Sequence, residues 1–299
     1  MQDSRAVAPI AYFEEMRSAE VVNSRMGADI SPRLHQVMTS LVNHLHAAVK
    51  EIEPTHEEWL AAIKFLTSTG QMCNDWRQEY ILLSDILGVS MLVDAINHRR
   101  PSAATPNTIL GPFYVEGAPH YEHGRSICLD GKGEPLVVAG QVLGVDGQPI
   151  PGAKIEVWQT NDDGFYDVQQ QGIQPESNLR GIFTADDRGG YWFKSVKPRH
   201  YPIPDDGPVG KLLRAMGRHP NRASHLHFIV SAPGYETVIT HIFAPDCQYL
   251  PDDTVFGVKK ELIADFNKVE DLKEAQAVGL DVPFWRVNWT FCLASAKSA

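Results

Sequence analysis

From about residue 101 onward the chain is cut by turn signals into short runs, and this punctuation limits the possible folds more than any other feature. Thr105-Pro106-Asn107, Gly111-Pro112, Asp146-Gly147, Pro151-Gly152, Gly189-Gly190 and Pro233-Gly234 place glycine, proline or a turn-forming side chain where a regular element has to stop. Between them, Leu136 to Val145, Ala153 to Thr160, Tyr191 to Val196, His225 to Ser231 and Thr237 to Phe243 are short and rich in strand formers. A helix is expected late, over about Asp253 to Asn267, and a final strand over Phe284 to Leu293. Short strands without helical crossovers predict an antiparallel sandwich or barrel rather than βαβ units.

Ahead of Arg99-Arg100-Pro101 the pattern is helical. Ser31-Pro32 is an N-cap with proline at the first helical position, and Leu34, Val37, Met38, Leu41, Val42 and Leu45 follow at the spacing of one helix face. Thr55 with Glu58 fits a capping box for a second helix through Trp59, Ile63 and Phe65. A third is expected from Asn74 to Asn97, apolar on both sides and so packed centrally or against a partner subunit. The expected class is therefore α+β, mainly β: a helical N-terminal domain over 1–104 and an antiparallel β-sandwich domain over 105–299.

Composition excludes several kinds of protein. Twenty-seven basic against thirty-seven acidic side chains give a formal net charge of -10, which argues against non-specific nucleic-acid binding. Cys73, Cys128, Cys247 and Cys292 are far apart and form no C-x-x-C pair, so neither a disulfide framework nor a thiolate zinc site is expected. The start, Met-Gln-Asp-Ser-Arg-Ala-Val, has no apolar core of a secretory signal, and Ser84, Asp85, Ser90 and Asp94 interrupt the most apolar stretch, Ile81 to Ile96. A soluble, cytoplasmic protein with no membrane partner is the expectation.

The sharpest local motif is Ser224-His225-Leu226-His227-Phe228. Residues two apart on a strand share a face, about 6.5–7 Å apart along the chain, so both imidazoles can converge on one metal if neighbouring segments supply further ligands. Read alone, they serve equally as hydrogen-bonding groups. Candidate hard ligands are Asp162, Asp163 and Asp167, with Tyr166 and Tyr201 in turn-rich contexts. Ordinary packing accounts as well for both tyrosines, because a phenol ionises near neutral pH only beside a strong Lewis acid.

A wider set of fragments, taken in order, carries a resemblance. Leu110-Gly111-Pro112-Phe113-Tyr114, Gly152-Ala153-Lys154-Ile155-Glu156-Val157-Trp158-Gln159, Gly164-Phe165-Tyr166, Tyr201-Pro202-Ile203-Pro204 with Gly207-Pro208-Val209-Gly210, and Arg222-Ala223-Ser224-His225-Leu226-His227-Phe228 together resemble the intradiol ring-cleaving dioxygenases. The N-terminal helices resemble that family's dimerising domain. The resemblance implies one mononuclear non-haem Fe(III) per subunit, held by Tyr166, Tyr201, His225 and His227, with Tyr201 displaced by substrate. It implies a catalytic role for Tyr201, which takes up a substrate proton, and for Arg222, a fixed cation beneath the ring. It also implies a catechol-type diol and O2 as substrates, cleavage between the two hydroxylated carbons, a homodimer through the N-terminal helices, and a phospholipid in a tunnel there. Holoprotein is expected to be wine-red from tyrosinate-to-metal charge transfer.

Substrate choice is expected in the pocket wall, which by the same resemblance includes Leu82, Asp85, Ile109, Gly111, Pro112, Phe113, Ile203, Pro204, Arg222, Val255 and Phe256. Asp85 stands where catechol-cleaving relatives are apolar, and a carboxylate there suits an additional ring hydroxyl. His241 stands where many of them carry glutamine, beside the iron rather than on it. Both features resemble the hydroxyquinol-cleaving branch, with maleylacetate (3-hydroxy-cis,cis-muconate) as product. The alternatives are cleavage of catechol or a chlorocatechol to a muconate, a zinc hydrolase built on His225 and His227 with a carboxylate, and a non-enzymatic β-sandwich binding protein.

Overall fold

A computed structural model describes residues 12–74 and 77–296. The expectation about a leader falls on residues 1–7, outside the described residues, as do Asp75 and Trp76 of the expected third helix. The chain divides into two compact units at Ser68/Thr69.

In the first unit, α1 (Ser18–Asn23) packs on α2 (Pro32–Ile52). Ser18 Oγ lies 3.0 Å from His46 Nδ1, and Asn23 donates to Asn43 at 2.8 Å. The caps act as the sequence predicts. Ser31 accepts from Leu34 N at 3.3 Å, and at the start of α3 (His56–Gln71) Thr55 N donates to Glu58 at 2.8 Å while Glu58 N donates to Thr55 Oγ1 at 3.2 Å. No residue of α2 is buried in the chain by itself, and its apolar row of Leu34, Val37, Leu41, Leu45 and Val49 is exposed.

The second unit opens with two helices where one is expected, α4 (Glu79–Ile86) and α5 (Val89–Asn97). Gly88 breaks the run by taking a left-handed conformation, φ +72°, against the ring of Phe256. Two four-stranded sheets follow. Their strands are β1 (Pro135–Gly144), β2 (Lys154–Trp158), β3 (Arg180–Thr184), β4 (Gly190–Val196), β7 (His225–Ser231), β8 (Val238–Phe243), β9 (Asn267–Val269) and β10 (Phe284–Leu293). One sheet runs β4-β1-β10-β9, the other β3-β2-β7-β8, and a short pair joins β5 (Tyr201–Pro202) to β6 (Asn221–Arg222). Pairing is antiparallel except for β1 with β10. The core gathers Val138, Val142, Ile155, Val157, Phe183, Phe193, Leu226, Phe228, Val287 and Phe291.

The late helix is not formed. Short 3-10 turns stand at Leu250–Asp252 and Lys260–Leu262, because Asp253 bonds to backbone N–H groups on both sides and holds the chain in a loop. Seven helices and strands lack a forecast: α1, β3, β5, α6 (Pro208–Ala215), β6, β9 and α7 (Leu272–Val278).

Candidate metal centre

β7 lies between β2 and β8 in its sheet, and this fixes the histidines. Leu226 and Phe228 point into the core, leaving His225 and His227 on the opposite face. His227 pairs in register with Trp158 on one side and His241 on the other. Its ring stacks on Trp158 at 4.6 Å and 12°. Gly111, at φ +79°, closes the site, because a Cβ there would lie 3.1 Å from His227 Cε1. Tyr166 follows a turn built on Asn161, whose Oδ1 accepts from Asp163 N and Phe165 N at 3.1 and 2.9 Å. Gln169 takes its backbone N–H at 2.9 Å, and Phe113 stacks on its ring at 4.8 Å. Tyr201 enters from β5, opposite Arg222 of β6.

Four donor atoms meet in this buried space. Tyr166 Oη is 3.0 Å from Tyr201 Oη and 2.9 Å from His227 Nε2, His225 Nε2 is 3.1 Å from His227 Nε2, and Tyr201 Oη is 3.4 Å from His225 Nε2. Donors about 2.0–2.1 Å from one ion and roughly 90–110° apart would be about 2.9–3.4 Å from each other, so the set fits a single metal. His225 Nδ1–H donates to Ala223 O at 2.5 Å, which leaves the Nε2 lone pair facing the centre. Burial, with the nearby cation of Arg222, pushes His225 down to about 3; burial holds His227 and His241 well below their ordinary value, helped by His241 and His225 at the first and by His225 and Arg222 at the second. All three are neutral near pH 7, as ligation requires. Burial pushes both tyrosines up, Tyr166 further through its neighbour Tyr201, whereas Arg222 opposes the rise at Tyr201. Two phenols and two neutral imidazoles in so small a space suit a hard cation that draws off the phenolic protons.

His241 is the third histidine of the cluster. Its Nδ1 is 2.6 Å from Thr108 Oγ1, and its buried Nε2 has no partner among the described residues. The aspartates weighed as hard ligands do not join: Asp162 pairs with Arg199 at 2.7 Å, Asp167 with Arg180 at 2.6 Å, and Asp163 is exposed. His200 is an exposed loop residue against Tyr249.

Beside the centre, Arg222 is buried and its Nε donates to Asp253 at 3.0 Å. Burial alone would lower the guanidinium, yet Asp253 and the tyrosines hold it above its ordinary value. A cavity of about 400 Å3 is lined by Leu82, Asp85, Pro112, Phe113 and Pro204 from the expected wall, with Arg77, Glu79 and Gln169 besides. Ile109, Gly111, Ile203, Arg222 and Val255 do not line it, and Phe256 lines a different cavity, with Asp253. Asp85 is 8% exposed, and burial raises its carboxyl against the opposing effects of Ser90 and Arg222. Asp253, Thr108, Trp158 and the buried Glu79, which pairs with Arg77 at 2.8 Å, are absent from the sequence-level site. A double acid after proline and before glycine, Pro251-Asp252-Asp253 to Gly257, was the available signal for the first of them.

The chain matches two family descriptions: "Dioxygenase" over residues 109–293 and "Catechol dioxygenase N terminus" over residues 31–105. It is 59% identical to a hydroxyquinol 1,2-dioxygenase of Rhizobium sp. (strain MTP-10005), over 98% of this chain and 99% of that one. It is 49% identical to a 6-chlorohydroxyquinol 1,2-dioxygenase of Cupriavidus pinatubonensis, over 87% and 94%. Among solved structures, a hydroxyquinol 1,2-dioxygenase from Pseudomonas putida DLL-E4 superposes with a TM-score of 0.90 at 44% identity, covering 94% of this chain and 99% of that one.

Proposed function

The chain belongs to the intradiol ring-cleaving dioxygenases, and from that premise we propose that it acts on hydroxyquinol (benzene-1,2,4-triol). Both atoms of O2 enter the product, the bond between the two adjacent hydroxylated carbons breaks, and maleylacetate (3-hydroxy-cis,cis-muconate) results. The convergence of Tyr166, Tyr201, His225 and His227 carries this reading.

Those four residues would hold one Fe(III) in each subunit. Bound there, ferric iron would supply Lewis acidity toward the hydroxyl oxygens of a diol. The histidines, neutral through burial, keep their lone pairs available at acid pH values where exposed imidazoles are lost. Tyr201 Oη accepts a proton from the incoming diol. Its burial makes the freed phenolate a strong base, and Arg222 across the β5–β6 pair steadies it until the proton arrives. Arg222 then faces negative charge building on the ring. Leu82, Pro112, Phe113 and Pro204 exclude water from the ring's apolar faces, and Asp85 accepts a hydrogen bond from the additional hydroxyl.

The apolar row left exposed on α2 supports a homodimer through the N-terminal helices, and Trp59, Leu60, Ile63 and Leu66 of α3, also exposed, support an apolar tunnel with a phospholipid. Light scattering and mass spectrometry of an organic extract test these two points. Among the described residues no helix is long and apolar enough to cross a membrane, and four unpaired cysteines suit a reducing cytoplasm. Oxygen uptake with product identification tests the activity itself. Hydroxyquinol is expected to be preferred over 6-chlorohydroxyquinol, catechol and chlorocatechols, and a preference for catechol would replace this substrate.

A further inference from the structure

Asp253 belongs to no helix or strand and is almost fully buried, yet its carboxylate has three donors. Oδ1 accepts from Arg222 Nε at 3.0 Å and from Ala223 N at 2.9 Å, and Oδ2 accepts from Gly257 N at 2.8 Å. The loop from 253 to 257 closes on itself, Phe256 N donating to Asp253 O at 2.9 Å with Phe256 held at φ +59°. Gly257 completes the fit, because a Cβ on it would stand 2.8 Å from Arg222 Nη2 and 3.2 Å from Asp253 Oδ2. The guanidinium is therefore gripped on its Nε edge by a carboxylate and bounded at Nη2 by a bare Cα.

The place of this cation bears on the rest of the site. Arg222 is buried, faces Tyr201 across the β5–β6 pair and stands three residues before His225 in the chain. A buried ion pair is no efficient source of stability, since apolar residues of similar volume often serve as well. A carboxylate fixed from both sides by backbone N–H groups is instead suited to orient its partner.

We propose that Asp253 is a positioning residue for ring cleavage: together with the bare Cα of Gly257 it holds the Arg222 guanidinium at one place and one angle beside the two tyrosines. The inference rests on the reading that Arg222 steadies charge building on the substrate. Misplacing such a group by about 1 Å is enough to cost on the order of 100-fold in rate.

Three single variants of the iron-loaded enzyme test this. Gly257→Ala keeps Asp253 and adds one methyl against the guanidinium, at a residue whose backbone lies outside the left-handed region. Asp253→Asn keeps the shape and removes the charge, and Arg222→Met removes the cation. The readouts are kcat, KM, Tm and the wavelength of the visible tyrosinate band. Arg222→Met is expected to lower kcat by about 100- to 1,000-fold. Gly257→Ala and Asp253→Asn are expected to lower kcat by about 10- to 100-fold with a smaller change in KM, and to shift the band. Gly257→Ala, which leaves the ion pair in place, should lower Tm less than Asp253→Asn does. Added to Arg222→Met, neither should lower kcat or move the band further. If Arg222→Met loses activity while Gly257→Ala keeps wild-type kcat and band, the positioning role is overturned and the reading of Arg222 stands. If Arg222→Met keeps wild-type kcat, the reading of Arg222 fails. Loss of kcat in Asp253→Asn only together with Tm, beside a normal Gly257→Ala, would make Asp253 a purely structural residue and overturn the proposal.

Discussion

Asp85 offers a perturbation in which stability and selectivity move in opposite directions. Its carboxyl is buried in the cavity wall, held above the ordinary carboxylate range by burial, with Ser90 and Arg222 acting the other way. For an acid whose folded value exceeds its unfolded one, the stabilising contribution is complete below the unfolded value and is lost as pH rises through the folded value. At neutral pH an ionised Asp85 therefore works against the fold of the substrate-free protein. A hydrogen bond from a ring hydroxyl to a charged acceptor contributes about 1.5–3 kcal/mol, which corresponds to about 10- to 150-fold in kcat/KM. Asp85→Ala should lower the hydroxyquinol-to-catechol ratio of kcat/KM by that factor, mainly through the triol. Asp85→Asn, which keeps one acceptor oxygen, should lower it less. Steady-state oxygen uptake gives the ratio, and thermal unfolding without substrate should give Asp85→Asn a Tm at or above that of the wild type. An unchanged ratio would refute the assigned role, and a clearly lower Tm for Asp85→Asn would refute the claim that the charge opposes folding.

Three further outcomes follow from the centre. Gly111→Ala meets both a left-handed backbone and the His227 ring, so it should cost about 1–2 kcal/mol in denaturant unfolding and lower the iron content of purified protein. Thr108→Val takes away the hydroxyl bonded to His241 Nδ1 and should cost about 1–3 kcal/mol by the same assay; an unaltered midpoint would mean that His241 finds another partner. In metal-free protein His225 is held at about 3 against an unfolded value near 6.5, so its contribution is whole above the unfolded value and is lost as pH falls toward the folded one. Between about pH 6.5 and pH 5 wild-type protein should therefore lose about 1.6 kcal/mol more than His225→Asn, and equal losses would contradict the burial of a neutral imidazole.

Those parts of the fold that depend on neighbours in sequence were legible. Ser31-Pro32 and the Thr55/Glu58 box start helices where their local bonds form, and β7 and β10 span the expected runs because alternation and flanking turns define them. Legibility ends where a distant partner decides. Val255, Phe256, Val258 and Leu262 suggest a helix, but Asp253 bonds to Ala223 and Arg222, some thirty residues earlier, and draws the segment into a loop. β3 carries Gly181 at its second position, which weakens a strand pattern, and the reason lies in Ile127, which a Cβ there would approach to 2.7 Å. The same limit applies to the site. Side chains that converge were named through their motif contexts, whereas the residues that hold them, Asp253, Thr108 and Trp158, stand beside them only after folding.

What holds each part of the centre also separates what is fixed from what can move. His225 and His227 sit on a strand paired on both sides, with Leu226 and Phe228 anchored in the core between them, so shifting either imidazole means shifting the sheet. Tyr166 is on a loop, but Phe113, Gln169 and the Asn161 turn hold it from three directions. Tyr201 rests on a two-residue strand whose one partner is the equally short Asn221–Arg222. Few ladder bonds resist its displacement, and the loop that secures the opposite strand is closed through the carboxylate of Asp253. The phenol assigned to leave when substrate enters thus stands on the element that costs least to disturb, while the two histidines are built into the sheet and Tyr166 is held by its three neighbours.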